Sequence, residues 1–150
     1  CLSPFDSWLT IRGIKTLAVR MEAAQKNAMR IAEWLTQQEE VTRVLYPCLP
    51  DFPNKEVHES QSRGNGAMLS FYTDSHETAA RVLKKVQLIR FAESLGGTES
   101  LITYPATQTH HDLTEEEREE RGITDCLLRL SVGIESAEDL IGDLAQALKE

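Results

Sequence analysis

Leu127-Leu128-Arg129-Leu130-Ser131-Val132-Gly133 is the stretch on which the reading of this chain turns. It has the composition of a buried strand, except that a guanidinium stands near its middle. Strand side chains alternate, so Leu128, Leu130 and Val132 share one face while Arg129 and Ser131 share the other. The apolar face can pack on a core. The opposite face offers a planar, permanently charged fork that matches a carboxylate or phosphate. Burying such a charge alone is costly, so it needs an anionic partner. An acid of the chain itself would serve, and so would an external ligand.

Elements around this strand follow from local signals. Downstream, Ser136 caps a helix that carries Leu140, Ile141, Leu144 and Leu148 on one face. Upstream, Thr114 with Glu117 forms a capping box, and Gly122 closes that acidic helix. Strands are expected at Val41 to Tyr46, Ala67 to Tyr72 and Leu88 to Ala92, with Ser100 to Tyr104 extended. Pro47, Pro50 and Pro53 mark a loop, Asn54 to Arg63 a short polar helix, and Asp74 with Glu77 the capped start of another helix.

At the N-terminus Ser3 can cap a helix with Pro4 in its first turn and Asp6 at its positive end. Ile14, Leu17, Met21, Ala24, Ala28, Ile31 and Leu35 then recur at helical spacing. They predict one long helix from Pro4 to Gln37, with nothing worse than Gly13 inside it. A helix of that length often bridges two domains or subunits. Several links between strands are too short for parallel crossovers. The fold class is therefore α+β: an antiparallel or mixed sheet, helices on one face and a long helix at the entrance.

A chain of 150 residues can bury one core, and no internal domain boundary is visible. The net charge of -8 argues against nucleic acid and against anionic membranes as partners. No apolar run approaches a bilayer-spanning length. Cys1, Cys48 and Cys126 are odd in number and far apart, which fits a reducing, cytoplasmic setting better than a disulfide framework. No close Cys/His pairs suggest a metal. The adjacent His110 and His111 cannot both face one site easily and are expected on a surface loop. Glu115 to Arg121 is a solvated helix face, and Trp8 and Trp34 suit core or interface packing. The abrupt start at Cys1 is expected of a piece of a longer protein.

Four motifs occur in order: Asp6-Ser7-Trp8-Leu9 with Arg12-Gly13-Ile14-Lys15-Thr16-Leu17; Glu93-Ser94-Leu95-Gly96-Gly97-Thr98-Glu99-Ser100-Leu101; Tyr104-Pro105-Ala106-Thr107-Gln108-Thr109-His110; and Leu128-Arg129-Leu130-Ser131-Val132-Gly133-Ile134-Glu135. Together they closely resemble the C-terminal domain of the Cys/Met-metabolism enzymes that use pyridoxal phosphate, the cystathionine γ-synthases, β-lyases and γ-lyases. The resemblance implies the small C-terminal domain of the aspartate-aminotransferase-type (fold type I) enzymes, with residues 1–150 as a single substrate-side domain, and assembly as a homotetramer. It implies pyridoxal phosphate as cofactor, held mainly by a domain that this chain lacks. No lysine here lies in the family's Ser-x-Thr-Lys setting, so the chain is expected to lack the Schiff-base lysine and to be inactive alone.

By the same resemblance Arg129 grips the substrate α-carboxylate. Ser94 and Leu95 match the family's Ser-Leu pair beside that carboxylate. Glu93 matches a variable position facing the distal end of the substrate, and Thr109 a hydroxyl that supports the pocket. On local pattern alone Ser94 to Gly97 is an ordinary turn. Gln108 departs from the methionine common in the family and resembles bacterial members that include cystathionine γ-synthases. The implied function is trans-sulfuration, by a cystathionine γ-synthase or β-lyase. Two other classes stand beside it: a non-catalytic amino-acid-binding or regulatory domain, and an association module built on the first helix.

Overall fold

The computed structural model describes residues 1–109 and 112–149. Five strands form one sheet in the order β1-β2-β5-β4-β3: β1 Val41–Leu45, β2 Met68–Thr73, β3 Arg90–Phe91, β4 Leu101–Thr103 and β5 Leu127–Ser131. The Arg129 strand is thus central. It pairs antiparallel with β2 on one side and β4 on the other, so Arg129 lies between Ser70 and Thr103. The sheet is mixed, because β3 and β4 run parallel.

Three helices build the core layer: α2 Leu17–Leu35, α4 His76–Lys85 and α6 Ala137–Leu148. Their apolar faces meet the helix-side residues of the sheet. Ala28, Ile31 and Leu35 of α2 join Val82 of α4 and Leu140, Leu144 and Leu148 of α6 against Leu69, Phe71, Ile102, Leu128, Leu130 and Val132. Full burial of each large side chain contributes about 1.5–3 kcal/mol before the cost of ordering it. The alternation expected of the central strand is realised, with Leu128, Leu130 and Val132 all pointing into this layer.

The expected helix from Pro4 to Gln37 is two helices. The first, α1 Pro4–Ile14, has Ser3 as N-cap, its hydroxyl accepting the Asp6 N–H at 3.1 Å. The chain then turns at Lys15 and Thr16 before α2. The Gly13 carbonyl is diverted, accepting the Thr16 N–H and a 2.9 Å bond from the Arg20 guanidinium. Glycine costs a helix roughly 1 kcal/mol and β-branched threonine adds to that, so the break falls where the helix is weakest. The apolar stripe divides accordingly. Ala24, Ala28, Ile31 and Leu35 are buried, whereas Ile14, Leu17 and Met21 are exposed.

Other expectations shift by a residue or two. The cap of α4 is Ser75, whose Oγ accepts the Thr78 N–H at 3.2 Å, so the anticipated Asp74–Glu77 box is displaced by one residue. The capping box at Thr114 and Glu117 opens α5 Glu115–Glu120 as read, and Gly122 follows it in the left-handed region at φ +71°. The short polar helix is α3 Lys55–Gln61. The third strand shrinks from five residues to Arg90–Phe91, because Asp143 captures the backbone before it. Asp143 lies on the buried side of α6 and accepts the N–H groups of Gln87, Leu88 and Ile89 at 2.9 to 3.1 Å.

The mixed sheet that the sequence allowed arises from a parallel connection at β3–β4. Residues 92–100 make that connection without an element of their own. Crossovers normally need a dozen or more residues. This one suffices because the two strands it joins are two and three residues long. It is also the segment that contains Glu93, Ser94 and Leu95.

Candidate substrate-carboxylate site

The sheet face turned away from the helices carries Arg129 and Ser131 of β5, with Thr103 and Leu101 opposite them on β4 and Ser70 beside Arg129 on β2. The Arg129 side chain is partly buried. Its Nε is shielded from water and has no hydrogen-bond partner among the described residues. Among the described residues no Asp or Glu pairs with it; the ion pairs there join Lys26 to Glu22, Arg30 to Glu138, Lys55 to Glu59 and Arg118 to Asp125. An internal partner, one of the two possibilities read from the sequence, is absent among them. Buried polar groups are rarely left this way, and removing a charged donor from water without a partner is costly.

The crossover loop comes to the same face. The Gly96 N–H donates to Ser131 Oγ at 3.0 Å, and Ser131 is the next residue on that face of β5. Two residues of strand span roughly 7 Å, so the loop backbone stands within side-chain reach of Arg129. Gly96 has φ +76°, a left-handed conformation that side-chain-bearing residues adopt at a cost, which makes glycine the natural residue there. Glu93, Ser94 and Leu95 precede it and are exposed, with Leu95 58% accessible. The Thr103 hydroxyl donates to the Ala92 carbonyl at 3.2 Å and fixes the loop's incoming end.

Thr109 is partly buried in the turn region after β4. Nearby, Gln108 Oε1 accepts the Tyr104 N–H at 2.8 Å, so Gln108 serves the turn that follows Pro105. His110 and His111 lie outside the described residues. Among the described residues no cluster of three or more His, Cys, Asp or Glu could hold a metal, and no helix is long and apolar enough to cross a membrane. Trp34 packs against the core while Trp8 is 55% exposed, on a helix α1 that buries none of its residues.

The residues that hold the loop were not singled out in the sequence. Ser100 is fully buried and binds the Glu135 carboxylate twice: its N–H donates to Oε1 at 2.6 Å and its hydroxyl to Oε2 at 2.9 Å. The Asp143 contact was legible in principle. Asp143 stands three residues after Leu140, on the apolar stripe of an amphipathic helix, where an acid needs a buried partner.

The model of the Cys/Met metabolism PLP-dependent enzymes matches residues 1–149. The chain belongs to that family. Among the Cys/Met-metabolism enzymes, it is 53% identical over 145 residues to a cystathionine beta-lyase of Bacillus subtilis, covering 97% of this chain and 37% of that protein. It is 56% identical over 146 residues to a cystathionine gamma-synthase of Haemophilus influenzae, covering 97% of this chain and 35% of the relative. A crystal structure of cystathionine gamma synthase from Xanthomonas oryzae pv. oryzae, in complex with aminoacrylate and cysteine, superposes with a TM-score of 0.92 at 45% identity, over 97% of this chain and 38% of that one. The α+β architecture is therefore that of a fold type I pyridoxal-phosphate enzyme, and the family's cofactor is pyridoxal phosphate. The chain spans little more than a third of the length of the curated relatives it matches.

Whether these residues suit the cofactor can be judged from their chemistry. The covalent anchor would be a lysine. The six lysines are Lys15, Lys26, Lys55, Lys84, Lys85 and Lys149, and none lies on a strand or in the 92–100 loop. The site on this chain thus fits a carboxylate, through a guanidinium with no acidic partner among the described residues and a loop of exposed residues. It does not fit a Schiff base.

Proposed function

We propose that this chain is the substrate-side domain of a pyridoxal-phosphate-dependent trans-sulfuration enzyme, a cystathionine γ-synthase or β-lyase, and that Arg129 holds the α-carboxylate of the amino-acid substrate. The Arg129 guanidinium carries this reading: among the described residues its Nε is shielded and without a hydrogen-bond partner, and no Asp or Glu pairs with it. A two-point contact from a planar fork fixes both position and orientation of a carboxylate. That is positional catalysis: the bond to be broken at Cα is held in one attitude toward the reacting group. The cofactor, when bound, supplies the electron sink for chemistry at Cα.

The loop completes the clamp. Ser94 and Leu95 stand just before the Gly96 N–H that is tied to Ser131, so the Ser94 hydroxyl and the loop N–H groups are available to the other side of the same carboxylate. Glu93 is exposed next to them and is placed to meet the distal end of the substrate, where its charge suits an ammonium such as that of cystathionine. Thr109 supports the pocket wall. None of these groups forms a covalent bond to the cofactor, and the isolated chain is inactive on this account.

Helix α1 supports the view that the domain works in a larger assembly. Phe5, Trp8, Leu9, Ile11 and Ile14 are all more than 40% exposed, an arrangement suited to burial against the remainder of the enzyme or a partner subunit of a homotetramer. A cytoplasmic location fits the free cysteines.

Substrate assays test this function. The full-length enzyme should release pyruvate from cystathionine, or join cysteine to an activated homoserine ester. The 150-residue chain with added pyridoxal phosphate should do neither. Full-length enzyme inactive on both substrates, or turnover by the chain alone, contradicts the proposal.

A further inference from the structure

The outgoing end of the loop beside Arg129 is tied to the Glu135 carboxylate. Residues 93–96 are exposed and belong to no strand or helix. Their outgoing end runs through Thr98 and Glu99 into Ser100, whose N–H and hydroxyl occupy the two oxygens of Glu135. Ser100 Oγ also accepts the Gly133 N–H at 2.9 Å, and the Ile134 N–H donates to the Thr98 carbonyl at 2.9 Å. The backbone on the Glu135 side is itself held. Asn27 of α2 donates from Nδ2 to the carbonyls of Gly133 at 3.1 Å and Glu135 at 2.8 Å. Contact between the two segments is so close that a side chain at Gly133 would lie 2.2 Å from the Thr98 carbonyl oxygen and 2.6 Å from the Glu99 carbonyl carbon.

We propose that Glu135 is the positioning residue of the carboxylate site: through Ser100 it sets where the 93–97 loop stands relative to Arg129. This rests on the reading of Arg129 as the holder of the substrate carboxylate. Glu135 forms no ion pair among the described residues, and the hydrogen bonds of its carboxylate go to Ser100 at the end of the loop. Hydrogen bonds to an ionised acceptor are the stronger kind, and two from one residue fix orientation as well as distance. Glu135 follows β5 by four residues, the strand that carries Arg129 and Ser131. Guanidinium and loop are thereby referred to the same piece of backbone. The Glu135–Ser100 bonds anchor one end of the loop and the Ser131–Gly96 bond its middle.

Glu135→Gln isolates this role. The amide keeps the size of the side chain and one acceptor for the Ser100 N–H. Its NH2 group faces the Ser100 hydroxyl, whose own proton then loses its acceptor. The loop should move relative to Arg129 while the core is untouched.

The readout is selectivity for a carboxylate, measured by calorimetry on the full-length enzyme as the ratio of affinities for L-norleucine and L-norleucinamide. Loss of one such bond is worth about 1 kcal/mol, so the ratio should fall by about fivefold or more in Glu135→Gln. A variant that merely weakens the fold lowers both affinities together and leaves the ratio intact, which would overturn the proposal. Arg129→Lys, measured alongside, separates the two claims. If it leaves the ratio unchanged, the carboxylate reading fails. If it lowers the ratio and Glu135→Gln does not, only the role of Glu135 fails. Should Glu135→Gln not fold, Ser100→Ala removes the hydroxyl from the other side, with the same fall expected and an unchanged ratio contradicting it.

Discussion

Ser131 lies two residues after Arg129 on the same face of the central strand, and its hydroxyl accepts the Gly96 N–H at 3.0 Å. One strand thus fixes both the guanidinium and the loop beside it. Gly96 makes that contact with φ +76°, in the left-handed region that a residue with a Cβ adopts at a cost. Gly96→Ala should therefore cost about 1–2 kcal/mol. Chemical denaturation of wild type and variant would measure this. An unchanged midpoint would mean that the loop accommodates a Cβ there.

Asp143 holds the other approach to the loop. Its carboxylate accepts three consecutive backbone N–H groups, and the residue is only 8% exposed. Asp143→Asn removes one acceptor and turns a donor toward those N–H groups. A loss of about 2 kcal/mol or more is expected from buried donors left unsatisfied. Urea unfolding checks it, and a change within a few tenths of a kcal/mol would show that the 87–89 turn is held by other contacts.

The α2–α6 contact has a defined pH signature. A 2.6 Å bond from Arg30, with help from the Glu138 backbone N–H and the Ser136 hydroxyl, draws the Glu138 carboxyl down to about 2 from its ordinary 4.5. The folded value is the lower one, so the unfolded chain takes up the proton first. The stabilisation is complete above the ordinary carboxylate value and is lost as pH falls toward about 2. Both side chains are exposed, so the effect is small and screened by salt. The stability difference between wild type and Glu138→Gln should be present near neutrality and vanish at the acid end. A difference that persists at the acid end and in high salt would rule out this ion pair as its source.

Helix α1 contributes little to the core of this domain, because none of its residues is buried. Removing residues 1–14 should change the unfolding free energy of the 150-residue chain by less than about 0.5 kcal/mol, as for substitutions remote from a core. The same deletion should abolish activity of the full-length enzyme if α1 meets the rest of that enzyme. A large stability loss in the chain alone would place α1 in its core instead.

Much of this was legible in the sequence, for identifiable reasons. The 127–133 stretch alternates cleanly, and period-two alternation survives into the structure because one sheet face is covered by helices. The caps at Ser3, Thr114 and Ser136 were readable because a cap is a local bond. The break after Gly13 was not read, since the apolar spacing runs straight across it and only tertiary exposure distinguishes Ile14 from Ile31. The Glu135–Ser100 anchor was invisible for a different reason. Its partners are thirty-five residues apart, and nothing in either local pattern announces the other.

The central claim is that Arg129 receives the acid group of an incoming amino acid. The most direct test is the kcat/KM of full-length enzyme and its Arg129→Lys variant on cystathionine or on the activated homoserine ester, whichever the enzyme turns over. An ammonium cannot reproduce the planar two-point contact. Loss of a charge-assisted bond worth about 1.5–3 kcal/mol predicts a fall of roughly 10- to 150-fold. A variant within about twofold of wild type would remove Arg129 from the site and contradict the account.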